Sequence, residues 1–145
     1  REFIMLDCII LGDSIAVGTQ MFYKECQLVG KGGINTWQWN QMYSVNQLTA
    51  DTVVISLGTN DHKYVKTEQE LRKMRSRVEA KRVFWILPAN NLPASEVSIL
   101  SIQNIVKQLA SEYNDIVIEI KSLQPDKIHP SWAGYEQIVK EVKAK

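Results

Sequence analysis

"CIILGDSIAVGTQ", Cys8 to Gln20, carries an abrupt change of period. An apolar run, read as a strand from Ile4 to Leu11, stops at Gly12, and a helical pattern opens at Ile15 and runs to Lys24. A run that is apolar at every position suits a strand covered on both faces, which is the habit of parallel sheets. The short turn between strand and helix then makes this the first β–α unit of a wound domain.

The rest of the chain repeats the alternation. Short strands are predicted at Gln27–Val29, Thr52–Leu57 ("TVVISL"), Val83–Leu87 ("VFWIL") and Ile116–Ile120. Helical patterns fall at Thr36–Leu48, Glu68–Ala80, Glu96–Tyr113 and Trp132–Lys143. This predicts a single α/β domain over residues 1–145, with a five-stranded parallel sheet between two helical layers, flavodoxin-like in architecture. In such sheets, ligands bind beyond the carboxyl ends of the strands. The segments of interest are therefore Gly12–Ser14, Gly30–Gly33, Gly58–Asp61, Pro88–Asn91 and Lys121–Ser131.

Bulk properties remove several classes. The 145 residues carry a formal net charge of +1, so there is no overall electrostatic footprint for nucleic acid or an anionic membrane. No apolar run is long enough to span a bilayer. The chain opens with Arg and shows no signal-peptide pattern, which leaves its compartment open, including a place within a larger surface, secreted or virion protein. The two cysteines, Cys8 and Cys26, form no disulfide framework and no C-x-x-C. Cys8 reads as a small buried hydrophobe. The two Cys and two His are widely separated, so no metal site is expected.

The strand-end segments carry the chemistry. Asp126 precedes His129 by three positions in "PDKIHPSWAGY". A carboxylate on Nδ1–H fixes the imidazole tautomer that a general base needs. Pro130 stiffens the backbone after the histidine, and Ser131 can cap the last helix. Alone, the same residues make an ordinary polar surface loop. Ser14 reads as an N-cap or as a nucleophile at a helix start, where free N–H groups face a developing anion. Asn60 in "LGTND" can aim an amide into the same crevice or make an Asn-Asp turn. The glycines of "VGKGGINT" can bare a backbone N–H or turn the chain. Neither a P-loop nor a G-x-G-x-x-G fingerprint is present. Each piece is ordinary, but together they supply the nucleophile, two kinds of anion donor and the acid–base pair of an acyl-transfer site.

The set resembles the SGNH hydrolase superfamily, the GDSL-type esterases. Gly12-Asp13-Ser14 resembles its first block, Gly32-Gly33 its second, Gly58-Thr59-Asn60-Asp61 its third and Asp126-x-x-His129-Pro130 its last, in order across the chain. The resemblance implies Ser14, His129 and Asp126 as catalytic residues. It implies Ser14, Gly33 and Asn60 as oxyanion donors, with Gly32 as the alternative to Gly33. It also implies acyl-enzyme chemistry without metal or organic cofactor. The chain is short for the family, which predicts an open site suited to small acyl groups or to esters on a polymer.

The substrate expected is a small acyl ester or an acetylated carbohydrate. Asp13, Trp37, Asn90 and Trp132 are the candidate substrate contacts. Trp37 and Trp39 either stack on sugar rings or fill the core, whereas Trp85 belongs in the core. His62 lacks a well-placed orienting carboxylate and ranks below His129 as base. The run Arg72, Lys73, Arg75, Arg77, Lys81, Arg82 reads as a solvated helix face, with an anionic polymer as the other reading. The competing functions are a short-chain lipase or thioesterase, and an SGNH-fold carbohydrate-binding module without turnover. A flavodoxin-like regulatory domain lacks its acidic cluster and lysine. Nothing in the sequence sets an oligomeric state.

Overall fold

In the computed structural model, which describes residues 6–145, the chain alternates strand and helix throughout. The order is β1 (Leu6–Gly12), α1 (Ser14–Met21), β2 (Gln27–Gly30), α2 (Thr36–Met42), β3 (Thr49–Ser56), α3 (Thr67–Arg75), β4 (Glu79–Leu87), α4 (Ile99–Tyr113), β5 (Ile116–Glu119) and α5 (Trp132–Ala144). The predicted start of the first strand at Ile4 lies outside the described residues. All five strands are parallel, in the order β2-β1-β3-β4-β5.

The period-2 geometry of the strands sorts the core into two layers. Ile9, Leu11, Val53, Ile55 and Trp85 face one way and pack with Leu71 and Met74 of α3 and Val106 and Leu109 of α4. Ile10, Val54, Phe84, Ile86 and Ile118 face the other way and pack with Ile15 and Ala16 of α1 and Ile138 and Val142 of α5. Thus α1 and α5 share one face of the sheet, and α2, α3 and α4 share the other. That placement lets the loop leading into α5 reach the start of α1, although β5 is at the sheet edge.

Strand β4 begins earlier than predicted, at Glu79 rather than Val83. Its first half is only partly buried and carries no apolar run, yet Glu79, Ala80 and Arg82 pair with Thr49, Ala50 and Thr52. Helix α3 is correspondingly shorter, ending at Arg75. Helix α4 starts at Ile99 rather than Glu96, because Glu96 sits at φ 58 and closes a short 3-10 turn, Pro93–Ser95.

In the basic run Lys73 and Lys81 are exposed, as expected, whereas the four arginines are tied to other elements. Arg75 makes a two-pronged contact with Asp115 at 2.8 and 3.0 Å, and Trp85 donates to the same carboxylate. Arg72 pairs with Glu68 and Glu112, Arg77 donates to the carbonyls of Tyr43 and Asn46, and Arg82 donates to Thr52 Oγ1. These cations join elements of the fold, so little of their charge is left for an anionic polymer.

The cysteine expectation is overturned: Cys8 and Cys26 form a disulfide. The register explains it. Ile9 pairs with Gln27 across β1 and β2, so the cysteines occupy the preceding step on neighbouring chains, with Cα atoms 4.8 Å apart. That lies within the range a disulfide spans. No helix among the described residues is long and apolar enough to cross a membrane.

Candidate active site

The turn after β1 answers the ambiguity of Ser14. The cap of α1 is Asp13, whose Oδ1 accepts the N–H of Ile15 at 3.0 Å. Ser14 is therefore released from capping and stands at the first helical position, half-buried, with its hydroxyl turned to His129. The turn is compact because Gly12 adopts φ 142, and a Cβ there would lie 1.8 Å from the Ser56 carbonyl oxygen. No side chain fits that approach.

Ser14 Oγ lies 2.9 Å from His129 Nε2, and His129 Nδ1 lies 2.7 Å from Asp126 Oδ2. The second carboxylate oxygen accepts the N–H groups of Ile128 and His129 at 2.9 and 3.0 Å. Those contacts, the Ile128 amide first and then the His129 ring, hold the Asp126 carboxyl down at about 2. An ionised carboxylate only accepts, so Nδ1 carries a proton towards Asp126 and Nε2 is the nitrogen that faces the serine. Ser131, as expected, caps α5 through the N–H of Gly134. The structure brings Ser14, His129 and Asp126 together in one hydrogen-bonded chain. About a third of the His129 side chain and two-fifths of that of Asp126 remain accessible, which makes the site open.

The candidate anion donors lie in the loops around the same serine. A Cβ built on Gly32 would lie 3.7 Å from Ser14 Cβ, and nothing lies within 4 Å of a Cβ on Gly33, which adopts φ 80. The Gly32–Gly33 peptide is therefore beside Ser14, and its N–H belongs to Gly33. Asn60 donates one amide hydrogen to the Ile34 carbonyl at 3.0 Å, which orients the side chain and leaves its second N–H available.

Behind these loops sits Asp61, which the sequence reading assigned no role. It is fully buried and accepts Thr36 N–H, Thr36 Oγ1 and Thr67 Oγ1 at 2.9, 2.7 and 2.6 Å. It fastens the start of α2, which follows the glycines, to the loop bearing Asn60. Burial raises its carboxyl above the ordinary range, opposed by the hydroxyls of Thr67 and Thr36. No sequence signal marked this, since Thr36 and Asp61 are 25 residues apart.

The other candidates separate. Asp13 is not a substrate contact: it has no accessible surface. Burial pushes its carboxyl up to about 7 against the hydrogen bonds from Ile15 and Ser56, and Oδ2 has no partner. Trp39 is core, donating to the Val29 carbonyl, whereas Trp37 is 52% exposed. Trp132 is exposed at the start of α5, edge-on to Phe22 at 5.2 Å. Asn90 is exposed and accepts the Asn91 N–H. His62 hydrogen-bonds only locally, its Nδ1 accepting the Tyr64 N–H. A groove of about 700 Å³ along α5, lined by Phe22, Glu136, Lys140 and Lys143, holds none of Ser14, Asp126 and His129.

No protein-family model matches the sequence, and no curated protein matches it. Solved structures do match. A GDSL-like lipase from Bacteroides thetaiotaomicron superimposes with a TM-score of 0.72 at 19% identity, over 96% of this chain and 86% of that one. The carbohydrate esterase family 2 enzyme of Corynascus thermopiles gives 0.64 at 16% identity, over 99% and 67%. The C-terminal catalytic domain of Streptococcus pneumoniae peptidoglycan O-acetyltransferase A also gives 0.64 at 16%, over 98% and 94%. The five-stranded parallel sheet between helical layers, with these neighbours, gives the chain the fold of the SGNH hydrolases.

Proposed function

We propose that the chain is a serine ester hydrolase of the SGNH type, acting on small acyl esters, chiefly acetyl groups on carbohydrate. The observation that carries this is the unbroken relay from Ser14 Oγ through His129 to Asp126, at 2.9 and 2.7 Å, beside the Gly32–Gly33 peptide and Asn60. Ser14 Oγ attacks the ester carbonyl carbon as His129 Nε2 takes its proton. The oxyanion accepts hydrogen bonds from the Ser14 and Gly33 amides and from Asn60. Collapse breaks the bond to the alcohol oxygen, which leaves with the proton from Nε2. Water then attacks the acyl-enzyme by the same route and regenerates Ser14.

The acetyl preference is supported by the openness of the site around His129 and Asp126. The Cys8–Cys26 disulfide supports an oxidising working environment. The test is hydrolysis of p-nitrophenyl acetate, butyrate and octanoate by the chain beside Ser14→Ala. Turnover that prefers acetate and vanishes in the variant is expected. Equal rates for both proteins overturn the hydrolase reading, and a preference for octanoate overturns the acetyl one.

A further inference from the structure

A hollow of about 390 Å³ opens beside the candidate oxyanion loops, lined by Asn35, Trp37, His62, Tyr64, Lys66 and Gln69 among others. Its size is that of a small-molecule site. Its position is set by the chain itself. Asn35 is two residues beyond Gly33, and His62 is two residues beyond Asn60. Two residues reach at most about 8 Å, so two residues of its wall lie within that backbone distance of the candidate oxyanion donors.

The lining does not suit an alkyl chain. Trp37 and Tyr64 are 52% and 80% exposed, so their rings are not spent on the core. Trp39, two positions on, fills the core of the same helix, so Trp37 has no packing duty to explain its size. His62 Nδ1 accepts the Tyr64 N–H, which leaves Nε2 as the outward nitrogen. The Gln69 amide and the Lys66 ammonium have no hydrogen-bond or ion-pair partner among the described residues. The Glu70 carboxylate, by contrast, is buried and accepts from Asn40. The hollow thus offers flat aromatic faces with several free donors around them. A pyranose has the matching chemistry: an apolar C–H face and a rim of hydroxyls.

We infer that this hollow is a glycan subsite that holds the sugar unit next to the one bearing the scissile ester, with Trp37 as its platform. The inference rests on the ester-hydrolase reading for which unit is cleaved, but not for binding. It assigns the enzyme to acetylated polysaccharides rather than to free small esters.

The test is calorimetric titration of the Ser14→Ala protein with xylohexaose, cellohexaose and chitohexaose, so that binding is measured without turnover. Saturable binding of at least one is expected. Adding Trp37→Ala should weaken it about tenfold, and adding Gln69→Ala about threefold, with unchanged melting temperatures because both side chains are at the surface. Failure of all three glycans to bind, or equal binding after Trp37→Ala, overturns the subsite. The two readings fail separately. Glycan binding without p-nitrophenyl acetate hydrolysis by the unsubstituted chain removes the hydrolase, and hydrolysis without glycan binding removes the subsite.

Discussion

Asp13 and Asp126 flank the same serine, one through the backbone and one through His129, and their environments are opposite. Asp13 is sealed under the β1–α1 turn, with one oxygen unpartnered and its carboxyl pushed up to about 7. Asp126 sits in an accessible loop, yet two backbone amides and an imidazole hold it at about 2. Burial without enough donors penalises the charge, and converging donors favour it even near water. The first aspartate builds the helix start that presents Ser14. The second keeps a charge beside the His129 ring.

The sharpest way to break this comparison is to remove the relay. Ser14→Ala and His129→Ala should each lower kcat for p-nitrophenyl acetate by roughly 10⁴-fold or more. Asp126→Asn should cost less, because the loop amides still position the histidine. Far-ultraviolet circular dichroism should be unchanged in all three. Equal losses in Asp126→Asn and His129→Ala would mean that the carboxylate is as indispensable as the base.

Next comes the oxyanion site. Asn60→Ala should cost about 10²–10³ in kcat if its free N–H meets the anion. An unchanged kcat would remove it from the mechanism and leave it as the partner of the Ile34 carbonyl.

A stability test follows at the other end of β1. The Cys8–Cys26 bond spans 18 residues, and loop-closure entropy alone gives it about 3 kcal/mol. The Cys8→Ser/Cys26→Ser protein should show that loss in urea unfolding. Its activity at 25 °C should survive, since the bond lies at the start of the strands and the site at their ends.

The smallest effect bears most directly on the two aspartates. With its carboxyl raised from 3.8 to about 7, Asp13 holds a proton in the fold that the unfolded chain has already released between those values. Its contribution is therefore fully present below about pH 4 and is lost as pH rises through about 7. Asp61 acts in the same direction. Asp13→Asn keeps an acceptor for the Ile15 N–H but cannot ionise, so its melting temperature should fall less between pH 5 and 8 than that of the unsubstituted chain. Parallel curves would show that Asp13 does not hold the proton. Asp126 should add no slope in this window, because it is ionised throughout.

Much of the fold was legible because its strands are apolar at consecutive positions. "TVVISL" and "VFWIL" have no other stable place than the middle of a covered sheet. What periodicity missed was the first half of β4, where the half-exposed Glu79–Arg82 segment is held in the sheet by its pairing with β3. The disulfide was missed for a related reason. Cys8 and Cys26 become neighbours only once β2 lies beside β1, and strand order is not written in local pattern.

For the site, the amino-acid sequence by itself determined the parts: a serine and an aspartate at a strand-to-helix turn, an Asn after β3, paired glycines after β2, and an Asp-x-x-His before the last helix. Such local chemistry needs only short spacing. The tertiary structure decided which part does what. It gave the cap to Asp13 and so freed Ser14, it buried Trp39 and exposed Trp37, and it used Asp61 to bind α2 to the Asn60 loop. These assignments depend on which groups lose water and which gain donors, and both are set by contacts between residues far apart in the chain.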